Sequence, residues 1–269
     1  MIKNPARPAG FLYFWYHRRM SWAWRRRLIY LSVLFVLFVV PVAVYLTRAL
    51  YRPPTCFDGR QNQNELGVDC GGVCELLCYA ESVPPVVHWS RIFKVSDGVY
   101  IAAAYIENPN EAAQAVNKPY EMKVYDTEGV PIFTRQGVVS LDPREFTAIV
   151  ETGILLGQLE AQRVQFTWLG DAEGWMRATA EPLALTVGRV NIVSSTTSQR
   201  VVGTIGNPTL QTFRNFEVAA IVYDASGNAI AVSKTYVDRL APNESRELVF
   251  SWPRPFATPP VEAQILPKI

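Results

Sequence analysis

The order of apolar and polar positions divides the chain into two regimes. From Leu28 to Leu46 the run LIYLSVLFVLFVVPVAVYL holds nineteen residues without a charged side chain. At ~1.5 Å of rise per residue it covers roughly the ~30 Å hydrocarbon layer of a bilayer. This predicts one transmembrane helix over 28–46, with Pro41 an internal proline that membrane helices tolerate. Beyond it the period falls to two: Tyr120, Met122 and Val124 alternate with Glu121, Lys123 and Tyr125, and Val164, Phe166 and Trp168 alternate with Arg163, Gln165 and Thr167. Strands are predicted near 86–95, 99–107, 118–126, 130–138, 145–152 and 161–169, then near 184–193, 200–206, 214–224, 228–237, 244–251 and 261–266. A short helical turn is predicted at Thr152–Leu159, and Gly174-Trp175 is expected between two domains.

The two sets of strands are copies. Ile106-Glu107-Asn108-Pro109 recurs as Ile205-Gly206-Asn207-Pro208, and Val124-Tyr125-Asp126 as Val222-Tyr223-Asp224. Leu141-Asp142-Pro143-Arg144-Glu145 recurs as Leu240-Ala241-Pro242-Asn243-Glu244, and Leu159-Glu160-Ala161-Gln162 as Val261-Glu262-Ala263-Gln264. The offsets of 99, 98, 99 and 102 keep one order along the chain, which identifies a tandem duplication. Six or seven short strands per copy, separated by Asn-Pro, Asp-x-x-Gly and Leu-x-Pro turns, predict two antiparallel β-sandwiches over 86–170 and 183–269.

Charge orients the helix. Residues 1–27 carry seven basic side chains and no acidic one, leaving 19 basic against 24 acidic beyond. The positive-inside rule keeps this 27-residue tail in the cytoplasm. Arg18, Arg19, Trp22, Trp24, Arg25, Arg26 and Arg27 interleave rings and cations, as suits the headgroup layer, so the bilayer rather than nucleic acid is the expected partner of the tail. The apolar core is longer than the ~7–15 residues of a signal peptide, and TRALYRPP lacks a small-x-small cleavage site, so an uncleaved anchor is expected.

All four cysteines, Cys56, Cys70, Cys74 and Cys78, fall in the segment 52–80. So little apolar material cannot build a core, which predicts a collar stapled by two disulfides in an oxidising compartment, with the pairing open. Asp58, Asn62, Asn64, Glu65 and Asp69 gather oxygen ligands of the kind calcium takes, though not at EF-hand spacing. The same residue types cap turns, so calcium is the one cofactor weighed against none. Zinc would require thiolates, and a redox pair would require Cys-x-x-Cys.

Two resemblances rest on these residues. Cys56, Asp58, Gly59, Asn62, Glu65, Gly67, Asp69, Cys70, Gly71, Gly72 and Cys74 form a pattern that resembles a short cysteine-rich module of bacterial secreted and surface proteins. The second copy, with G-x-I-x-N, VYDASG and L-A-P-x-E-S, resembles the FxLYD-type domain, an immunoglobulin-like sandwich of bacterial envelope proteins. The first copy, through AAYIENPN and KVYDTEG, resembles the same group and the water-stress and hypersensitive-response sandwich. These resemblances imply a mainly β protein of the cell envelope, and the helix with its charge asymmetry predicts that it is held in the cytoplasmic membrane with its C-terminal part outside. They imply no reaction.

The sequence offers little for catalysis. Beyond the helix His88 is the one histidine, and the recurring Asp126, Asp224, Glu145 and Glu244 sit in turns, where such side chains cap backbone. Trp89, Trp168, Trp175 and Trp252 are expected in cores or at the domain joint. The reading is a non-catalytic scaffold that binds another envelope protein or a wall polymer, with self-association as an alternative. The second reading is a sensor in which the collar, or a cleft between the two copies, binds calcium or a saccharide.

Overall fold

The computed structural model describes residues 21–50, 55–170, 174–178, 185–194 and 198–269; Arg18, Arg19 and the rest of the tail before Ser21 lie outside them. The chain forms two compact units, Met1–Pro54 and Thr55–Ile269. The first contains helix α1, Trp22–Leu50, long and apolar enough to cross a membrane. It begins six residues before the uncharged run and ends four after it, so Trp22, Trp24 and Arg25–Arg27 occupy its first turns. The Arg26 guanidinium lies 3.7 Å over the Trp22 ring one turn away. Inside the helix the Ser32 and Thr47 hydroxyls donate back to the carbonyls of Ile29 and Val44 at 3.0 Å, satisfying themselves without water.

The second unit is mainly β, as expected. In the first sandwich β1 (Val86–Ser96), β2 (Val99–Glu107) and β5 (Phe146–Leu155) form one sheet in the order β1-β2-β5. The other sheet, β4-β3-β6, comprises β3 (Ala113–Tyr125), β4 (Pro131–Leu141) and β6 (Arg163–Trp168), with β7 (Trp175–Arg177) also paired to β3. The second sandwich repeats this plan. Strands β8 (Thr186–Ser194), β9 (Gln199–Gly206) and β12 (Ser245–Trp252) form one sheet. Strands β10 (Phe213–Tyr223), β11 (Ala229–Leu240) and β13 (Glu262–Lys268) form the other. Even positions of β2 and β3, from Tyr100 to Ile106 and from Tyr120 to Val124, fill the first core. Val218, Ala220 and Val222 do the same in the second.

The recurring Asn-Pro and Leu-x-Pro turns are two halves of one device. Asn108, fully buried, donates through Nδ2 to the carbonyls of Ala113 and Asp142 at 2.8 and 2.7 Å and accepts at Oδ1 from the Asn110 backbone. Asn207 donates in the same way to Gln211, Leu240 and Ala241. Each asparagine thereby pins the loop after the second strand of its sandwich to the loop before the fifth. Buried carbonyls that would otherwise lack donors are satisfied.

The sandwiches are joined face to face. Odd positions of β2 and β5, Ala103, Ala148 and Val150, meet Ala219, Ile221, Ala229, Val232 and Leu266, with Trp89, Phe93, Ile101, Tyr105 and Tyr223 around them. At the rim Arg91 donates to Asn228 Oδ1 and the Ala229 carbonyl at 3.1 Å, and Gln264 donates to the Tyr105 hydroxyl at 3.2 Å. The joint is therefore heterologous: the β1-β2-β5 sheet of copy one covers the β11-β10-β13 sheet of copy two.

Two expectations fail locally. Thr152–Leu155 continues β5 instead of turning helical, because Gly153 takes a left-handed φ of +70° that a helix excludes while Ile154 drops fully into the core. Trp175 does not sit between the domains; it is buried in the first core, held there by the pairing of β7 with β3.

Candidate functional site

The cysteines close as Cys56–Cys74 and Cys70–Cys78, with Cα separations of 5.7 and 5.0 Å. Glycine is required at Gly72, where φ is +58° and a Cβ would collide with the Asn64 carbonyl. The stapled collar is fused to the first sandwich. Leu76 bridges Met176, the Leu77 N–H donates to the Trp175 carbonyl at 2.8 Å, and the Arg177 N–H donates to Glu75. Asn110 clasps Val83 with a reciprocal pair of bonds at 2.7 and 2.8 Å. Leu77 packs on the first core.

The five oxygen-bearing residues of the collar divide. Asp69 accepts the N–H groups of Asp58 and Gly59 at 2.9 and 2.8 Å, while Asp58 accepts from the Arg60 N–H and the Asn62 amide, each at 2.9 Å. That amide, with the Thr55 and Arg60 backbone, holds the Asp58 carboxyl below the usual carboxylate range. Glu65, 6% exposed, accepts the Asn62 N–H at 2.9 Å and lies 3.2 Å from the Cys74 sulfur, which as half of a disulfide is no thiolate ligand. Asn62 Oδ1 is buried with no partner. Asn64 is exposed and contributes a left-handed backbone, φ 69°. Asp58, Asn62, Glu65 and Asp69 thus share one hydrogen-bonded loop whose donors are mostly backbone amides, and Asn64 stands outside it.

The recurring carboxylates serve turns. Asp126 Oδ1 accepts the Val130 N–H at 2.7 Å; Asp224 Oδ1 accepts those of Ser226 and Asn228 at 2.9 Å. Glu145 and Glu244 each accept the N–H three residues back, at 2.7 Å. His88 is paired with Glu107 at 2.8 Å on the half-exposed surface.

A crevice of about 310 Å³ lies at the joint, where the two copies meet; the sequence raised a cleft between the copies but named none of its lining residues. Tyr120 donates to Glu151 Oε1 at 2.7 Å from one side; on the other, Lys234 pairs with Glu217 at 3.0 Å, and Tyr236 donates to Glu217 at 2.6 Å. Burial depresses the Lys268 ammonium and raises the Tyr120 phenol. Burial pushes Glu145 up to about 7 and, in the joint, Tyr223 up to about 12. With a carboxylate from each copy and the cations of copy two on its walls, the crevice suits a small ligand carrying both charges or none. The signal in the sequence was the loss of alternation in Ile101–Ile106 and Val218–Val222, which marks strands buried on both faces.

Of the tryptophans, Trp175 and Trp252 are buried in the two cores, Trp168 packs on the first, and Trp89 stacks on Tyr105 in the joint with ring centres 5.8 Å apart. No family model matches the chain, and no curated protein does. Among solved structures, red sea bream transglutaminase aligns over 72% of this chain at 10% identity with a TM-score of 0.21, and the chain spans 31% of that protein's length. A likeness at that level carries no functional argument.

Proposed function

We propose that the chain is a single-pass membrane protein, N-terminus in the cytoplasm, that presents a non-catalytic interaction module outside the cytoplasmic membrane. The module binds another envelope protein or a wall polymer. The observation that carries this reading is the apolar joint, which makes one stiff body of two sandwiches and leaves their end loops and edge strands displayed. Oxidised cysteines favour an extracytoplasmic location, and the basic tail favours the stated orientation. Strand β12 offers an edge suited to strand addition, since its eight pairs with β9 run without a bulge or proline.

The test is photocrosslinking in intact cells from position 210, where Leu210 is 89% exposed on the loop after Asn207. Capture of one dominant envelope protein is the expected result. Capture of glycan alone would assign the module to the wall, and capture of the same chain alone would replace both with self-assembly.

A further inference from the structure

We propose that Lys118 anchors a binding subsite for a small carboxylate in the first sandwich, in a cavity floored by Asn117 and Pro119. The duplication supplies the reference state. The offset of 98 that superposes the two Val-Tyr-Asp motifs places Lys118 on Phe216. Both follow a left-handed asparagine, Asn117 at φ 52° and Asn215 at φ 51°, and both pair with a valine, Val139 and Val237. Phe216 is 4% exposed and belongs to the second core. Lys118 is 9% exposed, so the position that holds hydrocarbon in one copy holds an ammonium in the other.

Burying a cation without a counter-ion is costly, and natural chains depart from local packing rules mainly where function requires it. Among the described residues no carboxylate or carbonyl bonds to Lys118. Its neighbours are the ring centres of Trp168 at 5.8 Å and Trp175 at 6.0 Å, near the limit of useful cation–π attraction. Lys118 lines a cavity of about 260 Å³ together with Asn117, Pro119, Leu169 and Gly170. That volume falls below the ~300–1,000 Å³ of pockets that enclose a whole ligand, so the cavity admits an end group. A single ammonium matches the single charge of a carboxylate, whereas a phosphate asks for more cations.

The test uses the full chain in detergent micelles, trace-acetylated with isotopically labelled acetic anhydride and read lysine by lysine by mass spectrometry. N-acetylalanine is the probe, N-acetylalaninamide the uncharged control, and the exposed Lys94 is the internal reference. The expected result is protection of Lys118 alone, about tenfold at ten times the dissociation constant, by the carboxylate and not by the amide. The K118F variant, carrying the residue of the sister copy, folds and loses the rise in Tm that N-acetylalanine gives the parent. Equal protection by the amide, or none by either, overturns the proposal. So does faster labelling of Lys118 in D171N/E173Q without protection by N-acetylalanine, because the counter-ion then comes from the chain itself.

Discussion

Glu145 and Glu244 occupy the same place in the two copies, and each caps the backbone N–H three residues back, yet their acidities shift in opposite directions. Beside Glu244 the Arg246 guanidinium lies 3.0 Å away, and the Ala241 N–H and this cation hold its carboxyl below the usual range. The residue equivalent to Arg246 is Thr147, and burial pushes Glu145 from 4.5 up to about 7, opposed by the Asp142 N–H and the Lys268 ammonium of copy two. A folded-state value above the unfolded one means that the native state holds the proton more tightly. The stabilisation is therefore complete below about pH 4.5 and is lost as pH rises towards 7. Urea denaturation of Glu145→Gln and of the parent across pH 4–8 is expected to show that slope in the parent and its removal in the variant. The turn role of both glutamates was legible in their recurrence. Their different titration was not, because it depends on which face of each copy is covered.

At the scale of elements, β-patterned runs, turn residues and the repeat located all twelve main strands, since each strand keeps at least one apolar face whatever its neighbours do. Strand β7 was not legible: three residues carry no period, and only the pairing of Ala115 with Trp175 places them. The collar was legible as a stapled loop, and its pairing was not, because four cysteines admit three connectivities. Its carboxylates already accept N–H groups, whose positive ends point to where a cation would sit. Adding calcium or EDTA to the full chain is therefore expected to leave Tm unchanged, and a calcium-dependent rise would restore the sensor reading. Opening the eighteen-residue separation between Cys56 and Cys74 by replacing both with serine is expected to lower stability by about 3 kcal/mol, measured by urea denaturation.

For the whole molecule, one register explains why the copies meet through different faces. Ala219, Ile221 and Val232 of the joint correspond to Glu121, Lys123 and Thr134 in copy one, where Lys123 pairs with Glu121 at 2.6 Å on a solvated sheet. Ile101, Tyr105 and Ala148 correspond to Arg200, Thr204 and Glu247 in copy two. Each copy is thus apolar on the face its sister keeps polar, and the order of the two is written in side chains. Ile221 is fully buried in the joint but lies outside the second core. Ile221→Asp is expected to separate the sandwiches without unfolding either, costing the joint about 2–4 kcal/mol. Calorimetry would then resolve two transitions in place of one; a single cooperative loss of both would show that neither sandwich stands without the other.

The disulfides also set how the chain answers a pull. Between Cys56 and Cys78 the unlinked backbone could pay out about 75 Å at ~3.5 Å per residue, whereas the path through the Cys56–Cys74 bond and four further residues gives about 20 Å. Tension between a membrane anchor and whatever the sandwiches hold would therefore meet a tether with roughly 55 Å less slack. In mechanical terms the collar is a short inextensible leash, and reduction of its two bonds would convert it into a long compliant one.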